Sequence, residues 1–324
     1  HWHSKWECGH AVLRMFSQWV HLSNHWATKK AKRETKILTL PEIDQTIKRK
    51  DYSKFTTTNI IEVIAKMGFE PQRYLYNNPE IKPEYEPDQI IYSCIESGIP
   101  CFVVFKAKSK NKKDVGHIAI VIGHTFNSDA WWPEAERDYY SVLFQDKPLI
   151  LRSTAWVDFI INDDNYGPYC IMPKEFVKVN LKRYEEPSKG IRKWKQEIKD
   201  SNLWEVIVPY PANLKLKIDG PTADRVAFAV LQSRFIRKHL QKVRGRYDCQ
   251  SKFWLKRLEA HLSESNIVVR SILVEYEELI SSKSKYGKQS ASAIKSVFSI
   301  PGISPSPQLV WFAEISLPDI FSQA

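Results

Sequence analysis

CGHAVLRMFSQWV, residues 8–20, sets Ala11, Val12, Met15, Phe16, Trp19 and Val20 at i, i+1, i+4, i+5, i+8 and i+9. That spacing draws one apolar stripe down a helix and predicts Cys8 in its first turn. The decapeptide around it, HWHSKWECGH, is rich in metal ligands: His1, His3, Cys8 and His10 together match the preferences of zinc. A zinc site there requires the chain to fold back before the helix begins, and the C-x₂₋₄-C spacing of such sites is absent. The residues downstream give Cys8 a different role.

A basic run, ATKKAKRETK, separates this helix from TTTNIIEVIAKMGF, whose threonines can cap a second amphipathic helix. DQIIYSCIESGIPCFVVFKAK then predicts a helix closed at Gly98, a turn at Pro100 and a buried strand, CFVVF. After a lysine-rich turn, GHIAIVIGHTF is a β-branched stretch long enough for a central strand. SVLF and AWVDFIIND predict further strands, giving helices first and a mostly antiparallel sheet after.

A thiol gains nucleophilic character at a helix N-terminus, where unpaired N–H groups and the positive end of the dipole favour its anion. It further needs a base within hydrogen-bond reach and a third group to orient that base. His117 opens the GHIAIVIG strand and by alternation shares a face with Ala119, Val121 and Gly123, small residues that leave room for a helix; the Cys8 helix packed there brings thiol and base together. The strand VDFIIND ends on Asp163, with Asp164 next, before the turn NYGPY. Either carboxylate at that position can accept the second imidazole N–H and fix its tautomer.

Cys-Gly heading an apolar helix, Gly-His opening an AIVIG strand, and Asp after a strand with a Gly-Pro turn resemble the papain-like cysteine peptidase superfamily. The similarity is closest to the bacterial branch that includes the bacteriocin-leader-processing peptidases, whose motifs resemble Cys-Gly-Pro-Ala, His-(apolar)-Val-(x)-Gly and Asp-Pro. It covers roughly residues 1–175, the order of the motifs carrying the specificity. The resemblance implies Cys8 as nucleophile, His117 as general base and acid, Asp163 (or Asp164) as orienting carboxylate, and an acyl-enzyme intermediate formed with a protein or peptide substrate. His10 stands where the branch has proline, and Trp2 where papain-like enzymes carry an oxyanion glutamine. His3 and Gln18 are the candidates to supply that missing donor.

The chain continues well past this unit. A charged stretch, KRYEEPSKGIRKWKQEIKDSN, predicts a linker or connecting helix. The expected organisation is α+β throughout: a papain-like domain over 1–184, a linker over 185–203, and a second α+β domain over 204–324. In the latter, Arg234, Arg237, Lys238, Lys242, Arg244 and Arg246 gather on or just after one predicted helix. With 48 Lys+Arg against 37 Asp+Glu, a net +11, they offer a surface for nucleic acid or an acidic protein. The alternative to an enzyme is therefore a catalytically silent binding module that grips such a partner. No P-loop or dinucleotide fingerprint appears, and NDDNYG lacks the remaining ligands of a calcium loop, so neither cofactor nor metal is expected. The 5 cysteines are scattered, and no apolar run reaches about 18 residues, which predicts a cytoplasmic protein rather than a membrane one.

Overall fold

The GHIAIVIG stretch does form a central strand, and its two faces bury different helices. The structure, a computed structural model, describes residues 8–23, 37–47, 55–77, 85–108, 114–125, 141–144, 147–151, 158–177, 179–186, 193–212, 214, 218–236, 238, 267–275 and 309–316. Helix α1 (Cys8–Ser23), α2 (Leu40–Thr46) and α3 (Thr57–Lys66) come first, followed by β1 (Phe69–Leu75) and α4 (Pro87–Glu96). Strands β2 (Cys101–Lys108), β3 (Asp114–His124), β4 (Ser141–Phe144), β5 (Lys147–Leu151), β6 (Asp158–Asp163) and β7 (Gly167–Pro173) follow. The remainder is the short α5 (Lys174–Val177), β8 (Val179–Glu186), β9 (Lys193–Ser201), β10 (Leu203–Pro211), α6 (Gly220–Gln232), β11 (Ile267–Glu275) and β12 (Leu309–Ser316).

The local signals behave as elementary chemistry requires. Thr56 and Asn59 form a reciprocal capping box at the start of α3. Gly98, at φ +71°, closes α4, with the Ile99 N–H returning to the Cys94 carbonyl at 2.9 Å.

Six strands form one sheet in the order β1-β10-β2-β3-β6-β7, every neighbour antiparallel. Alternation along β2 and β3 divides the core between two layers. Phe102, Val104, Ile118 and Ile120 pack with Val12, Leu13 and Phe16 of α1 and with Ile60 and Ile64 of α3. Cys101, Val103, Ala119 and Val121 pack on the opposite face with Ile90, Ile91 and Cys94 of α4. The Cys8 helix, expected on the small Ala119–Val121 face, lies instead on the Ile118–Ile120 face, and α4 covers the small face. Bulky side chains on both sides suit a sheet covered by helices above and below.

The expected division of the chain also differs from what is observed. β10 lies between β1 and β2, so the first sheet draws a strand from beyond the boundary placed at 184–204. LWEVIVPYP is buried along nearly its whole length because Val206 and Val208 enter the α4 layer and Ile207 the α1 layer. The charged stretch expected as a linker or helix is the two-stranded antiparallel β8–β9 ribbon. A second sheet, β12-β11-β5-β4, with β11 and β5 parallel, places Leu273 and Leu309 in the same core as α4. Polar ties fasten it: the Leu273 N–H donates to Ser97 Oγ at 3.0 Å, and the Ser271 N–H to Asp224 Oδ1.

Helix α6 stops at Gln232, short of the predicted extent, because Ser233 adopts extended backbone and its Oγ accepts the Ile236 N–H. Of the basic cluster, Arg234 and Lys238 are exposed, while Arg237, Lys242, Arg244 and Arg246 lie outside the described residues. Among the described residues no helix is long and apolar enough to cross a membrane.

Candidate active site

Cys8 is the first residue of α1 and partly exposed. The residue after it must be glycine, because a Cβ at Gly9 would fall inside contact distance of the Phe55 ring. His10 then turns into the core, fully buried, with Nε2 donating to Asp44 Oδ1 at 2.9 Å and its ring 4.3 Å from that of Phe55. It is held by α2 rather than offered to the thiol or to a metal shared with Cys8. His1 and His3, with Trp2, lie outside the described residues.

His117 is 8% exposed and sits directly across the β2–β3 ladder from Phe105, whose ring meets the imidazole edge-on at 5.1 Å. Its neighbour Gly116 is packed on Trp204, which would lie 3.1 Å from an added Cβ. The imidazole Nε2 donates to Asp163 Oδ2 at 2.7 Å. The Cys8 thiol lies beside the same ring, close enough to strengthen its hold on a proton. Cys8, His117 and Asp163 therefore meet at one place, the imidazole bonded to the carboxylate and neighboured by the thiol.

Asp163 is 1% exposed. A register irregularity between Ile161 and Asp163 in the β6–β7 pairing lies immediately before it, a distortion of the kind that re-aims a side chain at a strand end. Its other oxygen, Oδ1, accepts the N–H groups of Asn165 at 2.8 Å and Tyr166 at 3.2 Å. NDDNYG is thus a turn that fastens a carboxylate. Asp164, the alternative orienting group, places Oδ1 at 3.6 Å from Nε2, beyond a hydrogen bond; Asp163 holds the ring. Asn165, unanticipated from sequence, brings Nδ2 to 3.4 Å from Nε2. An Asx-turn reading of Asp-x-Asn would have placed its backbone, though not its side chain.

Burial opposes a charge on His117. The hydrogen bond to Asp163 and the neighbouring Cys8 thiol, with the negative charge of each, outweigh that cost, and the imidazole is pushed up to about 10. Burial likewise opposes ionisation of Asp163, yet the His117 hydrogen bond, the Asn165 N–H, the imidazolium charge and the Tyr166 N–H bring its carboxyl below the ordinary value. At neutral pH the pair is imidazolium and carboxylate.

Gln18 is exposed on α1. Ten residues of helix put it about 15 Å along the axis from Cys8. That is too far to donate to an oxyanion at the thiol. The N–H groups of the first turn of α1 are the donors nearest to it in the chain. His124 also leaves the site: Nε2 meets Glu96 Oε1 at 2.7 Å, and Nδ1 lies 3.1 Å from the Thr125 carbonyl. Cys94 and Cys101 are core residues, buried between α4 and β2, while Cys170 is half-buried against the same core.

His117, Asp163 and Asp164 also form a group whose ligand atoms all lie within 4.8 Å, among the described residues. Both oxygens of Asp163 and the Nε2 it faces already satisfy one another or backbone N–H groups. For His117 and Asp163 these hydrogen bonds account for the donor atoms. No protein-family model matches this chain, and no curated protein matches it.

Proposed function

We propose that the chain is a papain-like cysteine hydrolase, a peptidase or isopeptidase, with Cys8 as nucleophile, His117 as acid and base, and Asp163 as orienting carboxylate. The observation that carries this reading is the His117–Asp163 hydrogen bond with the Cys8 thiol beside the same imidazole, brought together from a helix start and two adjacent strands. Sulfur attacks the substrate carbonyl and the C–N bond breaks as the imidazolium gives its proton to the departing amine. Water then attacks the thioester, His117 takes its proton, and the acid leaves with the thiol restored. The first-turn N–H groups of α1 meet the developing oxyanion, a contact worth about 10²–10³ in rate per donor at such sites. Asp163 keeps the ring in the tautomer both steps need.

A library of peptidyl vinyl sulfones, mapped by mass spectrometry, tests this reading. Adducts on Cys8 that disappear in His117→Ala support it; adducts spread over the free cysteines, or indifferent to His117→Ala, overturn it.

The second reading, a silent binding module using its basic surface, is favoured by the distance of Gln18 and the exposure of Arg234 and Lys238. It predicts salt-sensitive binding to nucleic acid or an acidic protein that survives Cys8→Ala.

A further inference from the structure

Single exposed apolar side chains are ordinary on protein surfaces, whereas a group of them beside reactive residues is not. Immediately after Asp163, Tyr166 is 81% exposed, Tyr169 73% and Ile171 54%. Strand β7 is the outer strand of its sheet; it turns Cys170 and Met172 toward the α4 core and presents Tyr169 and Ile171 on its other face. Proline at 168 and 173 brackets this stretch, which discourages pairing with another strand and leaves the side chains as the means of contact.

The backbone of Tyr169 is held at φ +58°, a conformation that costs a side chain about 1–2 kcal/mol and that glycine or asparagine takes readily. Its N–H is tied to Asn162 Oδ1 at 2.9 Å, so the turn is enforced, yet the ring it carries is left in solvent. Tyr166 is fastened by its own N–H to Asp163 Oδ1, which joins this surface rigidly to the carboxylate that orients His117.

We propose that Tyr166, Tyr169 and Ile171 form the docking platform on which an apolar segment of the polypeptide substrate lies beside the thiol. This rests on the reading of Cys8, His117 and Asp163 as a nucleophilic site. The chemistry of the stretch selects the occupant. NYGPYCIMP, residues 165–173, carries no charged side chain in a protein that is 26% charged, so it complements apolar side chains and offers nothing to a phosphate or an acidic chain. The stretch begins at the turn that fastens Asp163, so a ligand lying on it reaches the carboxylate that orients His117.

The test compares modification of Cys8 by two peptidyl vinyl sulfones, one built with leucine and phenylalanine and one with serine and glutamine, each rate divided by that of iodoacetamide. The full chain is used, and Tyr169→Asn keeps a residue suited to positive φ while removing the ring; Ile171→Thr keeps a strand former. The apolar probe is expected to be preferred at least tenfold, and the double substitution to reduce that preference tenfold or more. No preference, or one that survives both substitutions, overturns the platform. A preference that persists while the variant changes from dimer to monomer on size exclusion assigns the surface to self-association instead. If iodoacetamide modifies Cys8 without dependence on His117, the nucleophile reading itself fails, and the platform with it.

Discussion

Asp163→Asn is the most informative single change, because the surroundings decide which way the new amide points. The two N–H groups of Asn165 and Tyr166 demand an oxygen at the Oδ1 position. The amide therefore places its NH₂ toward His117 Nε2, where the carboxylate had accepted a proton at 2.7 Å. Two donors cannot share that contact, so Nε2 is forced to the acceptor form and the ring loses its positive charge more readily. A hydrogen bond to a charged partner is worth about 1.5–3 kcal/mol, or roughly one to two pH units. His117, held at about 10 in the parent protein, is then expected to titrate near 8 to 9. Loss of the correct tautomer should lower turnover by about 10²–10⁴, the range of acid–base catalysis. Nitrogen-15 histidine NMR across pH, with His117→Gln to assign the resonance, reads both the midpoint and the tautomer. A midpoint in the variant equal to that of the parent, or a parent midpoint near the ordinary 6.5, refutes the reasoning.

Other perturbations probe the frame. Gly9→Ala drives a methyl into the Phe55 ring and should cost about 1–3 kcal/mol, measured by urea unfolding. His117 is raised on folding, so its share of stability is full below about 6.5 and lost as pH rises toward about 10; Asp163 is lowered, so its share is full above about 3.8 and lost as pH falls below that. The urea midpoint should accordingly be highest between about pH 4 and 6.5, and His117→Gln should flatten the alkaline decline. A chain ending at residue 184 lacks β10 and leaves β1 and β2 without their shared partner; circular dichroism should show no cooperative melting. Phe16→Ala, which empties a fully buried site between α1 and the sheet, should cost about 3–5 kcal/mol by the same unfolding assay.

The site was more legible in the sequence than the architecture around it. Cys8 at a helix start, His117 on a strand and Asp163 at a strand end are local signals, each set by periodicity within about ten residues. What joined β10 to the first sheet is not local. Its run of apolar residues announces a strand buried on both faces, but only the packing of Val206 and Ile207 against opposite layers says which sheet receives it. The β8–β9 ribbon was hidden for the opposite reason: with both strands rich in charge, no apolar alternation marks them. The face taken by α1 reflects a choice by size. Small residues at Ala119 and Gly123 suggested room for a helix, whereas α1 follows the larger burial offered by Ile118 and Ile120. Phe55 and Asp44, which fix Gly9 and His10, come from segments distant in the chain, and nothing near Cys8 foretold them.

The central claim is that His117 makes Cys8 a nucleophile unlike the other thiols. Limiting iodoacetamide at neutral pH, followed by peptide mapping of Cys8, Cys94, Cys101 and Cys170 in the parent protein and in His117→Ala, tests it most directly. Cys8 is expected to be modified at least ten times faster than the half-buried Cys170 in the parent, and His117→Ala to erase the difference. Equal labelling of Cys8 and Cys170, unaffected by removal of His117, would contradict it.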